Sequence, residues 1–168
     1  MAIKPLITAE RLRELLHYDP ETGIFRRLAV PTNRVKSCDI AGTPDDKGYL
    51  LIKIDLRMYK AHRLAWLYMT GAWPEDKIDH IDLDKANNRF VNLREATDSQ
   101  NEANKRMLRN NTSGYRGVSW HKRDKKWIAQ IWVAGKKRHL GYSDCPAAAH
   151  FAYIVAADMA FGEFARFS

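Results

Sequence analysis

Apolar and polar positions change period along the chain, and each change predicts an element. Residues 8–17 repeat apolar side chains at helical spacing behind a capping Thr8 with Glu10 in the first turn, which predicts a short amphipathic helix. Asp19-Pro20-Glu21-Thr22-Gly23 reads as a turn, after which Ile24-Phe25 opens a strand. Residues 27–46 show no period and carry Pro31, Asn33, Gly42 and Pro44, so they read as loop. The β-branched and aromatic run at 49–55 predicts a strand, with 56–60 as its hairpin partner. Helical period returns at 61–71, where Leu64, Trp66, Leu67 and Tyr68 serve as core and Gly71 stops the helix.

Beyond this helix the pattern shortens. Ile78 and Ile81 bracket Asp79-His80, the polar run 82–88 turns the chain, and Phe90, Val91 and Leu93 supply a second strand. Thr97 or Asp98 then caps a helix carrying Gln100, Asn101 and Asn104. Residues 109–114 are polar, end in Gly114 and read as a linker. Three strand-like runs follow at 115–121, 126–133 and 137–140, and then an Ala-rich helix from Pro146 to about Phe161. The class is α+β: residues 1–108 form one segment, and 115–168 a small three-stranded antiparallel sheet packed on one helix.

Composition narrows the classes of function. The 168 residues suit one domain or two small ones, and no stretch approaches the roughly 18 apolar residues of a membrane span. Cys38 and Cys145 have no second cysteine at ligand spacing, which removes zinc fingers and disulfide frameworks and leaves N and O ligands for any metal. The opening Met1-Ala2-Ile3-Lys4-Pro5 lacks a charged and then apolar leader, so the expected compartment is the cytoplasm of a bacterial or phage-infected cell. Net charge is +8 and uneven: residues 109–168 hold 10 Lys/Arg against 4 Asp/Glu, net +6. A basic excess interleaved with Trp and Tyr is the footprint of a polyanion binder, although a cationic surface also serves solubility alone.

Candidate chemistry concentrates at 78–102. Asp79 offers a carboxylate, Asn101 an amide oxygen, and His80 a base whose ordinary pKa is about 6.5. Oxygen ligands without thiolate favour one Mg²⁺ or Mn²⁺, and a neutral imidazole can take a proton from an attacking water, which together describe a phosphodiester hydrolase. Asn92 on the facing strand can accept from the second ring nitrogen of His80 and fix its tautomer. The same residues also make ordinary turn and capping chemistry. Adjacent strand residues face opposite sides, so Asp79 and His80 share a site only if the strand ends or twists there. His80 must also be open to solvent, and Asp79 and Asn101 close enough to share one ion.

The run Asp-His-Ile-Asp, Asn-Asn-Arg, Val-Asn-Leu-Arg, Ser-Gln-Asn resembles HNH endonucleases of the homing and phage-encoded type, which have a ββα-metal site. Ala61-His62-Arg63-Leu64-Ala65-Trp66 and Gly71-Ala72-Trp73-Pro74 also look like the segment upstream of that motif. The resemblance covers roughly residues 48–107. It implies His80 as general base, Asn92 as the residue orienting it, and Asp79 and Asn101 as ligands of one divalent cation. Asn stands where the name-giving third His would be, an HNN variety. His62 precedes Arg63 and invites a second catalytic role with both facing phosphate, but it reads rather as a satisfied helix-start residue, with Arg63 a surface charge. Arg89 and Arg94 flank the hairpin as DNA-phosphate contacts, with a solvated role for each the alternative.

Strand parity in the last module sends Trp127, Ala129, Ile131 and Val133 onto the helix and turns Ile128, Gln130 and Trp132 outward. The module resembles the plant APETALA/ethylene-response-factor DNA-binding domain through Gly114-Tyr115-Arg116-Gly117-Val118, the 127–131 strand, His139-Leu140-Gly141-Tyr142 and the Ala-rich helix. That likeness implies a sheet lying in the major groove, with Arg116, Ser119, Lys126, Gln130, Trp132, Lys137 and His139 as contacts. The plant pattern has more arginines here, so its target does not carry over. The whole reads as a site-directed or nicking endonuclease on double-stranded DNA, soluble, with a homodimer as one route to a double cut. The alternative is a DNA-binding regulator that kept the fold without cleavage.

Overall fold

The computed structural model describes residues 6–28, 38–107 and 110–167. The chain divides into two compact units, Met1–Glu95 and Ala96–Ser168.

In the first unit, α1 (Ala9–Leu15) starts where Thr8 Oγ1 accepts from the Arg11 N–H at 3.2 Å. The helix stops short of the expected His17. Leu16 and His17 instead pair with Arg27 and Arg26, opening β1 (Leu16–Asp19) against β2 (Ile24–Arg27). Tertiary pairing overrides a helical period that has run out of turns. The Asp19 carboxylate closes the hairpin, accepting from the Glu21 N–H at 3.0 Å and the Thr22 hydroxyl at 2.8 Å. The stretch read as loop contains two short strands, β3 (Ile40–Ala41) beside β2 and β4 (Thr43–Pro44) beside β5 (Leu50–Ile54). Its residues 29–37 lie outside those described.

Strand β5 pairs with β6 (Arg57–Lys60) through a turn in which Asp55 and Leu56 are both left-handed, at φ 46° and 67°. Helix α2 (Ala61–Thr70) follows at once and ends at Gly71, φ 80°. Its Leu64 and Leu67 are fully buried against Leu12, Leu16, Phe25 and Ile52. Each such burial contributes about 1.5–3 kcal/mol and holds in place the helix whose first turn carries His62. Strands β7 (Lys77–His80) and β8 (Leu93–Ala96) form a two-stranded sheet. Phe90 and Val91, expected to open the second strand, form a 3-10 turn with Asn92 instead. The Phe90 N–H donates to Pro20 O at 3.1 Å, and its ring packs 5.6 Å from that of Trp66. The N-terminal hairpin and α2 have taken the groups a strand would have used.

The second unit holds α3 (Asp98–Asn104), β9 (Val118–His121), β10 (Lys126–Val133), β11 (Lys136–Ser143) and α4 (Pro146–Phe161). The strands form an antiparallel sheet with β10 central. Helix α4 lays Ala149, Tyr153, Ala157 and Phe161 against it at fourfold spacing, with Pro146 in its first turn. Thr97 caps α3 through a reciprocal box with Gln100. The C-terminal end of α3 is fastened by Arg116, whose guanidinium donates to the carbonyls of Ala103 at 2.9 Å, Glu102 at 3.3 Å and Lys105, and to the Tyr153 hydroxyl at 2.9 Å. This anchoring draws α3 into the second unit, so the compact division precedes the helix, whereas the sequence suggested a linker at 109–114. No helix among the described residues is long and apolar enough to cross a membrane.

Candidate active site

His80 is the last residue of β7 and is 5% exposed. Its Nε2 lies 3.4 Å from Asn88 Oδ1, and its ring meets that of His62 edge-on at 5.0 Å and that of Tyr49 at 6.0 Å. Burial pulls the imidazole below its ordinary pKa, opposed by the Asn88 contact and by Asp82, Asp79 and Asp84. A neutral imidazole is the form that accepts a proton. The expectation of a solvent-open base is not met, because His62, Tyr49 and Asn88 close around it.

Asn92 has a different task from the one its spacing suggested. Its Nδ2 donates to Asp82 Oδ1 and Asn87 O, both at 2.9 Å, and its Oδ1 accepts from the Asp82 N–H at 3.1 Å. These bonds staple the 82–88 loop, and that loop delivers Asn88 to His80. Asn88 is 1% exposed; its Nδ2 donates to Ala86 O at 3.0 Å, and its carbonyl accepts from the Tyr18 hydroxyl at 2.6 Å. The β1–β2 turn presses on the same backbone: a Cβ on Gly23, φ 73°, would fall 2.5 Å from Arg89 N and Asn88 C. Only glycine fits that approach.

Asp79 and His80, neighbours on one strand, find different partners, as alternation dictates. Asp79 is 4% exposed, and its Oδ2 accepts from Arg94 Nε at 3.2 Å, with Arg94 Nη2 at 3.1 Å. Arg94, named above as a phosphate contact, is an internal counterion here, whereas Arg89 is exposed. Asn101 sits half-buried on α3, in the second unit, where its N–H donates to Thr97 O at 2.9 Å.

His62, expected to be satisfied, is not. The second residue of α2 is 5% exposed, and its Nδ1 is buried without a hydrogen-bond partner. Burial first, then His80, Lys60 and Arg63, push its pKa down to about 3, against Asp45. An unsatisfied buried nitrogen costs about 1–3 kcal/mol. Beside it, Lys60 Nζ stands 4.1 Å and Lys85 Nζ 4.9 Å from the centre of the Tyr49 ring.

The outer face of the second unit's sheet carries the exposed Ser119, Lys126, Trp132, Lys137, His139 and Tyr142 and the half-buried Gln130. Trp132 is 62% exposed, and His139 and Tyr142 lie 4.6 Å apart by ring centres. Ile128, assigned outward by parity, is buried, whereas Arg116 is committed to α3. Residues 118–143 contain seven Lys/Arg and one Asp, so the sheet and its turns are strongly cationic.

Comparison with known proteins supplies the deciding observation. Residues 59–103, from β6 into α3, match the family described as HNH endonuclease. Over 115 residues the chain is 32% identical to Protein 3.8 of Escherichia phage T7, across 66% of this chain and 94% of that protein. The chain belongs to the HNH endonuclease family. No solved structure matches it.

The HNH match spans His62, Asp79, His80, Asn88, Asn92 and Asn101 together. Spacing pointed to four of these. Asn88 looked like turn chemistry beside Asn87 and emerges only from packing, whereas His62 stands out in the sequence beside Arg63 but its orphaned nitrogen does not. Lys60 and Lys85 were missed for the same reason. The divalent cation common to HNH nucleases does not fit the first unit as it stands. Asp79 Oδ2 already holds a guanidinium, and among the described residues no three His, Cys, Asp or Glu converge to hold an ion.

Proposed function

We propose that this HNH protein hydrolyses phosphodiester bonds in double-stranded DNA. The observation that carries the reading is a neutral, held imidazole at the HNH histidine, with Asn88 fixing its ring. Once DNA binding admits water past His62, Tyr49 and Asn88, His80 accepts a proton from that water as the water oxygen bonds to phosphorus. The bond from phosphorus to the 3′-oxygen breaks, and that oxygen takes a proton from solvent, leaving 5′-phosphate and 3′-hydroxyl ends. One such site per chain cuts one strand at a time, so nicking is the expected product. The outer face of the second unit, with Ser119, Lys126, Gln130, Trp132, Lys137 and His139, is the DNA-binding surface in this reading, its lysines set against phosphate.

The test is relaxation of supercoiled plasmid with Mg²⁺ or Mn²⁺, with and without EDTA. Nicked circles are expected from the wild type, and about 10²-fold fewer from His80→Ala. Equal nicking by the variant would remove His80 from the chemistry.

A second reading rests on the buried His80 and the Asp79–Arg94 pair: a regulator that binds DNA without cutting it. Tight duplex binding with the plasmid left supercoiled under every metal condition would establish it.

A further inference from the structure

Three features meet at His62. Its Nδ1 is buried with no hydrogen-bond partner. Its ring contacts His80 directly, 5.0 Å between centres, and Tyr49 at 5.2 Å. It lies within the matched stretch 59–103 but outside the Asp79, His80, Asn92 and Asn101 constellation. Folding pairs the large majority of buried polar atoms, and one left unpaired calls for a reason, a catalytic role among them. An apolar ring would pack as well at this point, so the nitrogen itself needs a reason.

We propose that His62 is a second substrate-contacting histidine, whose Nδ1 hydrogen-bonds a non-bridging oxygen of the scissile phosphodiester when DNA opens the pocket. The inference rests on the nuclease reading above and names a further residue of that site. A neutral imidazole with its proton on Nδ1 donates to the phosphate oxygen, while His80 on the facing ring receives the proton of the attacking water. No proton changes hands at His62. It stabilises the charge that builds on the phosphate oxygens as phosphorus gains a fifth bond. Lys60 and Lys85, over Tyr49, bring positive charge to the same ring cluster and favour an anionic guest.

Two variants separate chemistry from packing. His62→Phe keeps a ring and deletes the nitrogen, whereas His62→Asn loses the ring and keeps an amide near the Nδ1 position. Each is compared with wild type by single-turnover nicking of supercoiled plasmid in Mn²⁺, by duplex affinity in fluorescence anisotropy and by melting temperature. The proposal expects His62→Phe to melt no lower than wild type, to bind duplex within about twofold, and to nick about tenfold or more slowly. His62→Asn should nick faster than His62→Phe although it packs worse. Equal nicking by wild type and the Phe variant would overturn the inference while leaving the nuclease reading intact. So would a loss of nicking that tracks melting temperature in both variants. A wild-type chain that leaves the plasmid supercoiled would overturn the nuclease reading itself, and this inference with it.

Discussion

A histidine kept neutral by burial ties stability to pH through a single side chain. The His62 imidazole is pushed down to about 3 when folded, below its ordinary value of 6.5. Between these values the unfolded chain binds a proton that the folded chain refuses. Stability is therefore whole above about pH 6.5 and falls as the pH drops toward 3, by up to about 1.4 kcal/mol per pH unit for this one group. His80 shifts in the same direction for the same first cause and adds to the loss. The groups that set the His62 value are His80, Lys60 and Arg63 on one side and Asp45 on the other. Melts of wild type and His62→Phe at pH 7.5, 6 and 5 isolate the effect from general acid denaturation: the advantage of the Phe variant should widen at each step down. A constant gap would mean that His62 titrates alike in folded and unfolded chains.

Elements, rather than single residues, decide how firmly the HNH loop is held. The β1–β2 hairpin reaches it through Tyr18, through Pro20 O and through Gly23, which sits where a side chain would strike the Asn88–Arg89 backbone. Gly23→Ala should destabilise the chain by at least about 2 kcal/mol, combining a left-handed φ with that clash. Tyr18→Phe, which deletes a buried hydroxyl bonded to Asn88 O, should cost about 1–3 kcal/mol. Denaturant melts check both, and nicking should fall along with stability if the hairpin supports His80 through Asn88. What the sequence made legible at this scale was local. The Thr8 and Thr97 caps, the Gly71 stop, the Pro146 start and the β5–β6 hairpin all follow from residues within a turn of each other. What it hid was long-range. Arg94 on Asp79 depends on the register of β7 and β8, Arg116 on the end of α3 depends on where the helix docks, and Phe90 leaves its strand because Pro20 claims its N–H. The site was half-read accordingly: His80 and Asp79 stood out by type and spacing, but their partners His62, Tyr49, Asn88 and Arg94 are set by packing, and Asn88 is itself held by Tyr18, 70 residues away.

Charge divides the molecule as its compact units do. Residues 1–95 hold 16 Lys/Arg and 14 Asp/Glu, net +2, whereas residues 96–168 hold 12 and 6, net +6. Two acids in the first unit have structural tasks, the buried Asp79 on Arg94 and the exposed Asp82 on Asn92 and Asn87. In the second, the cations crowd the sheet and its turns, beside an exposed Trp132 that no internal packing requires. A polyanion bound there releases counterions in proportion to the phosphates it loses to lysines, which makes the interface measurable by salt alone. Trp132→Ala combined with Lys137→Ala should raise the duplex Kd about tenfold or more at low salt. The same change should lower the slope of log Kd against log salt by about 1, the share of one phosphate contact. Both side chains are exposed, so the melting temperature should stay near that of wild type. A weakened Kd with an unaltered slope would assign the loss to Trp132 and move the phosphate contacts to Lys122, Arg123 and Lys125 in the β9–β10 turn; an unaltered Kd would take DNA off this face altogether.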